Sequence, residues 1–188
     1  GLHGTTHQLP RGRRGGSRSE ARVEHRRLQS VEFYRTQALS RLDRMRALLA
    51  RLDNPHEKFQ SVHIAGTKGK GSTAAICDSI LRAAGIRTGL FTSPHLHTFR
   101  ERIRVNGEMI SRESVVEGLD RLRAIQPEFP NVIIFELITA LAFDYFVRAG
   151  VEFAVVEVGI GGRLDATNVI TPRISVITSI SYDHMAVL

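Results

Sequence analysis

Between residues 63 and 73 the chain reads His-Ile-Ala-Gly-Thr-Lys-Gly-Lys-Gly-Ser-Thr. Three glycines, two lysines and three hydroxyls fall in that stretch. These are residue types that grip phosphate. Glycines let a backbone turn tightly and come close to a ligand. A turn that opens into a helix aims several N–H groups at one point, and the helix dipole adds positive potential there. Lys70 supplies a formal charge able to reach terminal phosphates, and Ser72 a hydroxyl for the phosphates or their Mg²⁺. The spacing departs from the common G-x-x-x-x-G-K-[ST] pattern. Anchored on Gly69-Lys70, that pattern puts its first glycine at Ile64 and its hydroxyl at Gly71. Here they stand at Gly66 and Ser72. The residue types favour a mononucleotide such as ATP, held by Gly66, Thr67, Lys68, Gly69, Lys70, Gly71 and Ser72. The spacing disfavours a simple P-loop kinase or GTPase.

Other residues invite chemistry with less force. Glu157 closes an apolar run, Val-Glu-Phe-Ala-Val-Val-Glu, and a glycine-rich stretch follows it. The carboxyl ends of strands are where α/β sheets bind ligands. A carboxylate there is costly unless it meets a cation; the bland reading is a salt-bridged strand end. Ser93 beside Pro94 reads alone as a turn hydroxyl. His184 reads alone as a surface or hydrogen-bonded residue. Glu136 and Thr139 share one face of an apolar helix, three residues apart. They are either a satisfied internal polar pair or ligand contacts.

The elements that must position these residues follow from periodicity. Val31, Tyr34, Ala38, Leu42, Met45, Leu49 and Leu52 recur at three- and four-residue steps, predicting a helix over roughly 31–52. Asp53-Asn54-Pro55 ends it. Residues 59–66 form a short β-branched strand that stops at a glycine. Residues 72–85 form a helix closed by Gly85, and residues 86–93 a second strand. Asn106-Gly107 signals a hairpin turn. Residues 112–125 form an amphipathic helix, and 133–149 a helix apolar nearly all round, hence buried. The runs at 151–159 and 173–181 are continuous apolar strands of the kind covered on both faces in a parallel sheet. The fold class expected is α/β, a mainly parallel sheet flanked by helices.

Composition sets the outer limits. The 188 residues suffice for a domain with a sizeable core, at 42% hydrophobic and 24% charged. The lone Cys77 permits no internal disulfide and suits a small buried residue. No apolar run approaches the ~20 residues of a membrane span. The net charge of +7 is concentrated in residues 1–30, which hold seven Arg against two Glu. That argues against nucleic acid as partner. The segment is rich in Gly, Arg and Ser, so a disordered basic tail is expected. It lacks the apolar stretch of a secretory signal, which leaves a plain extension or an Arg-rich transit peptide. A cytoplasmic monomer is the default expectation.

The stretch Gly-Thr-Lys-Gly-Lys-Gly-Ser resembles the P-loop of the ATP-dependent Mur ligase superfamily. The glycine after Lys70 points to its folate branch, the dihydrofolate synthase/folylpolyglutamate synthase family. Further motifs of that branch occur in order: TSPHL at 92–96, RERIRVNG at 100–107, FELITALAF at 135–143, EVGIGGRLDATN at 157–168 and ITSISYDH at 177–184. The resemblance covers roughly residues 38–188.

It implies a P-loop NTPase-like Mur ligase central domain. ATP and Mg²⁺ would be bound, with Ser93, Glu157 and His184 as metal ligands and Lys70, Glu157 and His184 catalytic. Leu164, Asp165 and Ala166, with Glu136 and Thr139, become candidate contacts to a pteroate or folate substrate. Asn168 joins the nucleotide set or orients its loop. Residues 39–45 resemble the helix lining the folate pocket, where Asp43 and Arg44 are either pocket residues or a solvated face. The implied reaction is ATP-driven addition of L-glutamate to a pteroate or folate carboxylate through an acyl phosphate. The implied organisation is a basic tail over 1–30 and an incomplete ATP-binding domain over 31–188. A C-terminal glutamate-ligase domain is missing, so the isolated piece is expected to be inactive. A murein-peptide ligase is disfavoured by Gly71 and TSPHL; an inactive nucleotide-binding module is the non-enzyme alternative.

Overall fold

The computed structural model describes residues 41–182, which lie in one compact unit. Residues 1–40 and 183–188 are outside the description. The expectations for the basic tail, for the start of the first helix and for His184 therefore lie beyond it.

A six-stranded sheet organises the unit, in the order β4-β3-β2-β5-β1-β6. The strands are β1 (Gln60–Ala65), β2 (Thr88–Phe91), β3 (Ile103–Val105), β4 (Glu108–Met109), β5 (Phe153–Glu157) and β6 (Ile174–Ile177). β2, β5, β1 and β6 run parallel; β3 and β4 add an antiparallel edge beyond β2. The hairpin between β3 and β4 turns where expected, with Asn106 and Gly107 both at positive φ (52° and 89°).

Helix α1, described over 41–50, carries buried Leu42, Met45, Leu48 and Leu49 on one face. With α3 (Arg112–Ile125) and α4 (Ile134–Arg148) it covers one face of the sheet. Helix α2 (Lys70–Ala83) covers the other. The strands supply both layers by alternation. Val156 and Ala154 of β5 join the first core, whereas Val155 joins Ala74, Val62, Ile64 and Leu90 under α2.

Two expectations shift. Helix α2 starts at Lys70 rather than Ser72, because Gly69 adopts a left-handed conformation (φ 80°) and becomes the N-cap. That puts Lys70 in the first helical turn. The run at 173–181 yields only a four-residue edge strand, and Ile174 and Ile177 are 54% and 64% exposed rather than covered on both faces. No helix among the described residues is long and apolar enough to cross a membrane.

Candidate active site

The carboxyl ends of adjacent parallel strands meet at one edge of the sheet. Ile64 of β1 is in register with Glu157 of β5, Val156 with Phe91 of β2, and Ala65 with Ile177 of β6. The segments leaving those strands therefore converge: 66–69 from β1, 92–94 from β2, 158–165 from β5 and 178–181 from β6. Parallel topology alone brings residues up to 115 positions apart to one rim.

The phosphate loop is strapped to the segment after β6. Thr67 N–H donates to the Ser179 carbonyl at 2.7 Å, and Lys68 N–H to Ser179 Oγ at 3.2 Å. Thr67 Oγ1 donates to the Ser181 carbonyl and accepts from Ser181 N–H. Thr178 Oγ1 donates to the Lys68 carbonyl at 2.7 Å. A Cβ on Gly66 would stand 2.2 Å from Thr178 Oγ1, at a backbone φ of 134°; only glycine fits. Thr67 and Lys68 have thus spent their amides inside the protein. The donors left to face a phosphate are those of Gly69, Lys70, Gly71 and Ser72, at a helix N-terminus with no side-chain cap. Lys70 Nζ donates to the Gly66 carbonyl at 2.9 Å, folding the amine back over the loop.

Glu157 faces the same place. A Cβ on Gly71 would lie 3.6 and 3.8 Å from its two carboxylate oxygens. The residue is only 4% exposed. Burial pushes its carboxyl above the usual carboxylate range, opposed by the Ser93 N–H donated to Oε2 at 3.0 Å and by the nearby Lys70 charge. A buried carboxylate has room for about four hydrogen bonds. This one receives a single hydrogen bond among the described residues, so it has acceptor capacity for a cation. Its neighbour Ser93 adds a hydroxyl oxygen, a donor type that a hard cation such as Mg²⁺ accepts.

Beside this lies a cavity of about 560 Å³. Lys70, Ser93, Glu136, Leu164, Asp165 and Ala166 line it, together with Arg41, Arg102, Ile133, Phe135, Gly159 and Ile160. Six of the residues singled out from sequence share one space. Thr139 and Asn168 do not join them. Thr139 is fully buried and donates to the Phe135 carbonyl at 2.8 Å. Asn168 sits beside a separate hollow near His56, where its Nδ2 donates to the Arg163 carbonyl at 2.9 Å. It orients its own loop and is not brought to the phosphate loop.

Glu136 and Thr139 are not a mutual pair. Glu136, 2% exposed, takes two hydrogen bonds from Arg44 (2.7 and 3.0 Å) and one from Ile133 N–H. Arg44 therefore braces the lining residue Glu136, while exposed Asp43 pairs with Arg46 on the solvated face. Asp165 is saturated: Oδ2 accepts from Gly159 and Ile160 N–H, and Oδ1 from the amide and hydroxyl of Thr167. It shapes the 159–168 loop rather than offering a free carboxylate. Glu101 does the same for the loop after β2. It accepts amides of Leu96, His97 and Thr98, which hold its carboxyl down to about 2.

The strap residues Thr178, Ser179 and Ser181 and the cavity residues Arg102 and Phe135 lie inside recognisable motifs, yet spacing gave them no role. Buried His63, whose Nε2 lies 2.8 Å from Thr167 Oγ1, has no motif to mark it. Its only signal is an ionisable residue in a strand destined for burial.

Known proteins share this fold. Residues 64–188 match the Mur ligase middle domain. The dihydrofolate synthase/folylpolyglutamate synthase of Bacillus subtilis is 47% identical over 158 residues, covering 78% of this chain and 36% of that protein. The crystal structure of Thermotoga maritima folylpolyglutamate synthase superposes with a TM-score of 0.72 at 47% identity, over 75% of this chain and 35% of that one. A solved FPGS–AMPPCP–folate complex superposes with a TM-score of 0.74 at 38% identity, over 81% and 42%. The chain thus spans little more than a third of the length of the Bacillus relative. With the match running through every strand from Ile64 onward and over more than half of the sequence, the chain belongs to the Mur ligase middle domain family.

Proposed function

We propose that this chain carries the nucleotide- and folate-binding part of an ATP-dependent ligase that joins L-glutamate to a pteroate or folate carboxylate. One observation carries the reading: the Glu157 carboxylate lies against Gly71, at the open helix N-terminus that also bears Lys70. An acid, a cation and unspent amides around one point suit a polyphosphate with its metal. The relatives' names and the AMPPCP and folate held by the complex above support the same assignment.

In this reading Gly69–Ser72 amides and the Lys70 amine hold the β- and γ-phosphates. Ser93 Oγ and Glu157 would hold Mg²⁺, with His184 a further ligand beyond the described residues. The metal, when bound, neutralises charge on the transferring phosphoryl group. A substrate carboxylate in the 560 Å³ cavity, walled by Phe135, Ile160 and Leu164, attacks the γ-phosphorus and ADP leaves. The acyl phosphate is attacked in turn by the amino group of glutamate, which loses its proton as phosphate departs. The protein contributes positioning and charge neutralisation. We place the enzyme in the cytoplasm as a monomer, its co-substrate Mg-ATP supporting the location. We assign residues 31–188 to one ATP-binding domain.

The test is thermal shift. Mg-ATP at a hundred times its Kd should stabilise the chain by about 2.7 kcal/mol, and Lys70→Ala should reduce that strongly. Equal melting temperatures with and without Mg-ATP in the wild-type chain would sink the reading.

A further inference from the structure

His63 lies on β1, buried, three residues before the phosphate loop begins. Its Nε2 is 2.8 Å from Thr167 Oγ1. The Thr167 hydroxyl has one hydrogen, and it goes to Asp165 Oδ1 at 2.5 Å. Thr167 Oγ1 must therefore accept from His63, which fixes the imidazole as the Nε2–H tautomer. Asp165 passes the constraint on: its Oδ2 holds Gly159 N–H at 3.1 Å and Ile160 N–H at 3.0 Å. Asp165, Gly159 and Ile160 all line the cavity.

We propose that His63 is a positioning residue for the cavity wall, acting through Thr167 and Asp165 on the Gly159–Ile160 backbone. The relay is continuous, buried at His63, Thr167 and Asp165, and has no slack hydrogen. Without the His63 donor, Thr167 Oγ1 loses its only described donor while its own hydrogen stays with the carboxylate. A buried acceptor left unpaired re-seeks a partner, and the rotor it sits on holds Asp165. The 159–160 backbone then loses its fixed anchor. The strand that ends in the phosphate loop thereby sets the shape of the neighbouring substrate cavity, through a contact that leaves the nucleotide donors untouched. That the cavity takes folate rests on the proposed function above.

His63→Leu removes the donor, and His63→Gln supplies an amide N–H of similar reach. Thr167→Val breaks the relay without altering β1. Hydrogen exchange at Gly159 and Ile160, folate affinity and AMPPCP affinity are measured on the 188-residue chain. His63→Leu and Thr167→Val are expected to speed exchange at both amides and weaken folate, each by about tenfold, as for one lost buried hydrogen bond. AMPPCP affinity should stay within about twofold, and His63→Gln should recover most of both losses. Wild-type exchange in both folded variants would overturn the inference, as would AMPPCP weakening in step with folate. If the wild-type chain binds no folate, the proposed function fails, and the exchange rates alone decide the relay.

Discussion

Glu157 and Gly71 touch across the rim of the sheet: each carboxylate oxygen is within 4 Å of where a Gly71 side chain would begin. The contact distance is ordinary, so the fold would admit a methyl group. The space it would fill is the space a metal or phosphate needs.

Gly71→Ala should therefore separate stability from binding. Alanine in the first turn of α2 favours the helix by about 0.5 kcal/mol. The melting temperature without ligand should hold or rise slightly, while stabilisation by Mg-ATP should largely vanish. A variant that keeps the full Mg-ATP shift would show that Gly71 does not border the ligand.

Glu157→Gln should also stabilise the ligand-free chain. Burial raises the Glu157 carboxyl above its ordinary value, so the ionised form is the disfavoured one. A group shifted this way favours the fold below its unfolded pKa near 4.5 and loses that contribution as pH rises through the folded value. At pH 7 the neutral amide avoids the cost and can still accept from Ser93 N–H. The gain, about 1 kcal/mol by denaturant titration at pH 7, should shrink toward zero below pH 4. The same variant should lose Mg²⁺-dependent nucleotide binding.

Arg44→Met should be severe. It leaves the Glu136 carboxylate buried with only the Ile133 amide. Breaking one partner of a buried pair costs about 3 kcal/mol, whereas replacing both with apolar groups costs much less. The double variant Arg44→Met/Glu136→Leu should thus be more stable than Arg44→Met in chemical denaturation. If it is no more stable, the pair is not what holds that wall.

Acid should weaken the fold before most carboxylates titrate. Burial holds both His56 and His63 below the usual histidine range. Both therefore favour the fold fully above their unfolded pKa near 6.5, and that contribution falls as pH drops toward their folded values. Unfolding free energy should decline as pH falls below about 6.5, and His63→Gln should reduce the slope. A flat profile in the wild-type chain would contradict the burial of both imidazoles.

Much of the layout was legible because it rests on local chemistry. Asn106-Gly107 demands a tight turn, the apolar runs at β1 and β5 demand coverage, and the glycines around Lys70 demand a backbone that approaches a ligand. The start of α2 is less legible: Ser72 resembles a helix start, while Gly69 supplies the left-handed turn and the helix begins two residues earlier, at Lys70.

The roles inside the site were less legible. Thr67 and Lys68 carry the right types for phosphate, but Ser179 takes both amides. Asp165 looks like a substrate ligand and is saturated by its own loop. Glu136, by type either half of a pair with Thr139 or a ligand contact, meets Arg44, 92 residues away, and lines the cavity. Residue types and spacing by themselves determined that a phosphate loop opens a helix in a parallel α/β unit with an acid at a strand end. Which amides stay free, and which carboxylate keeps room for a cation, only the tertiary structure decided. Those outcomes depend on which distant donors reach each acceptor first, and strand order, not sequence distance, sets that competition.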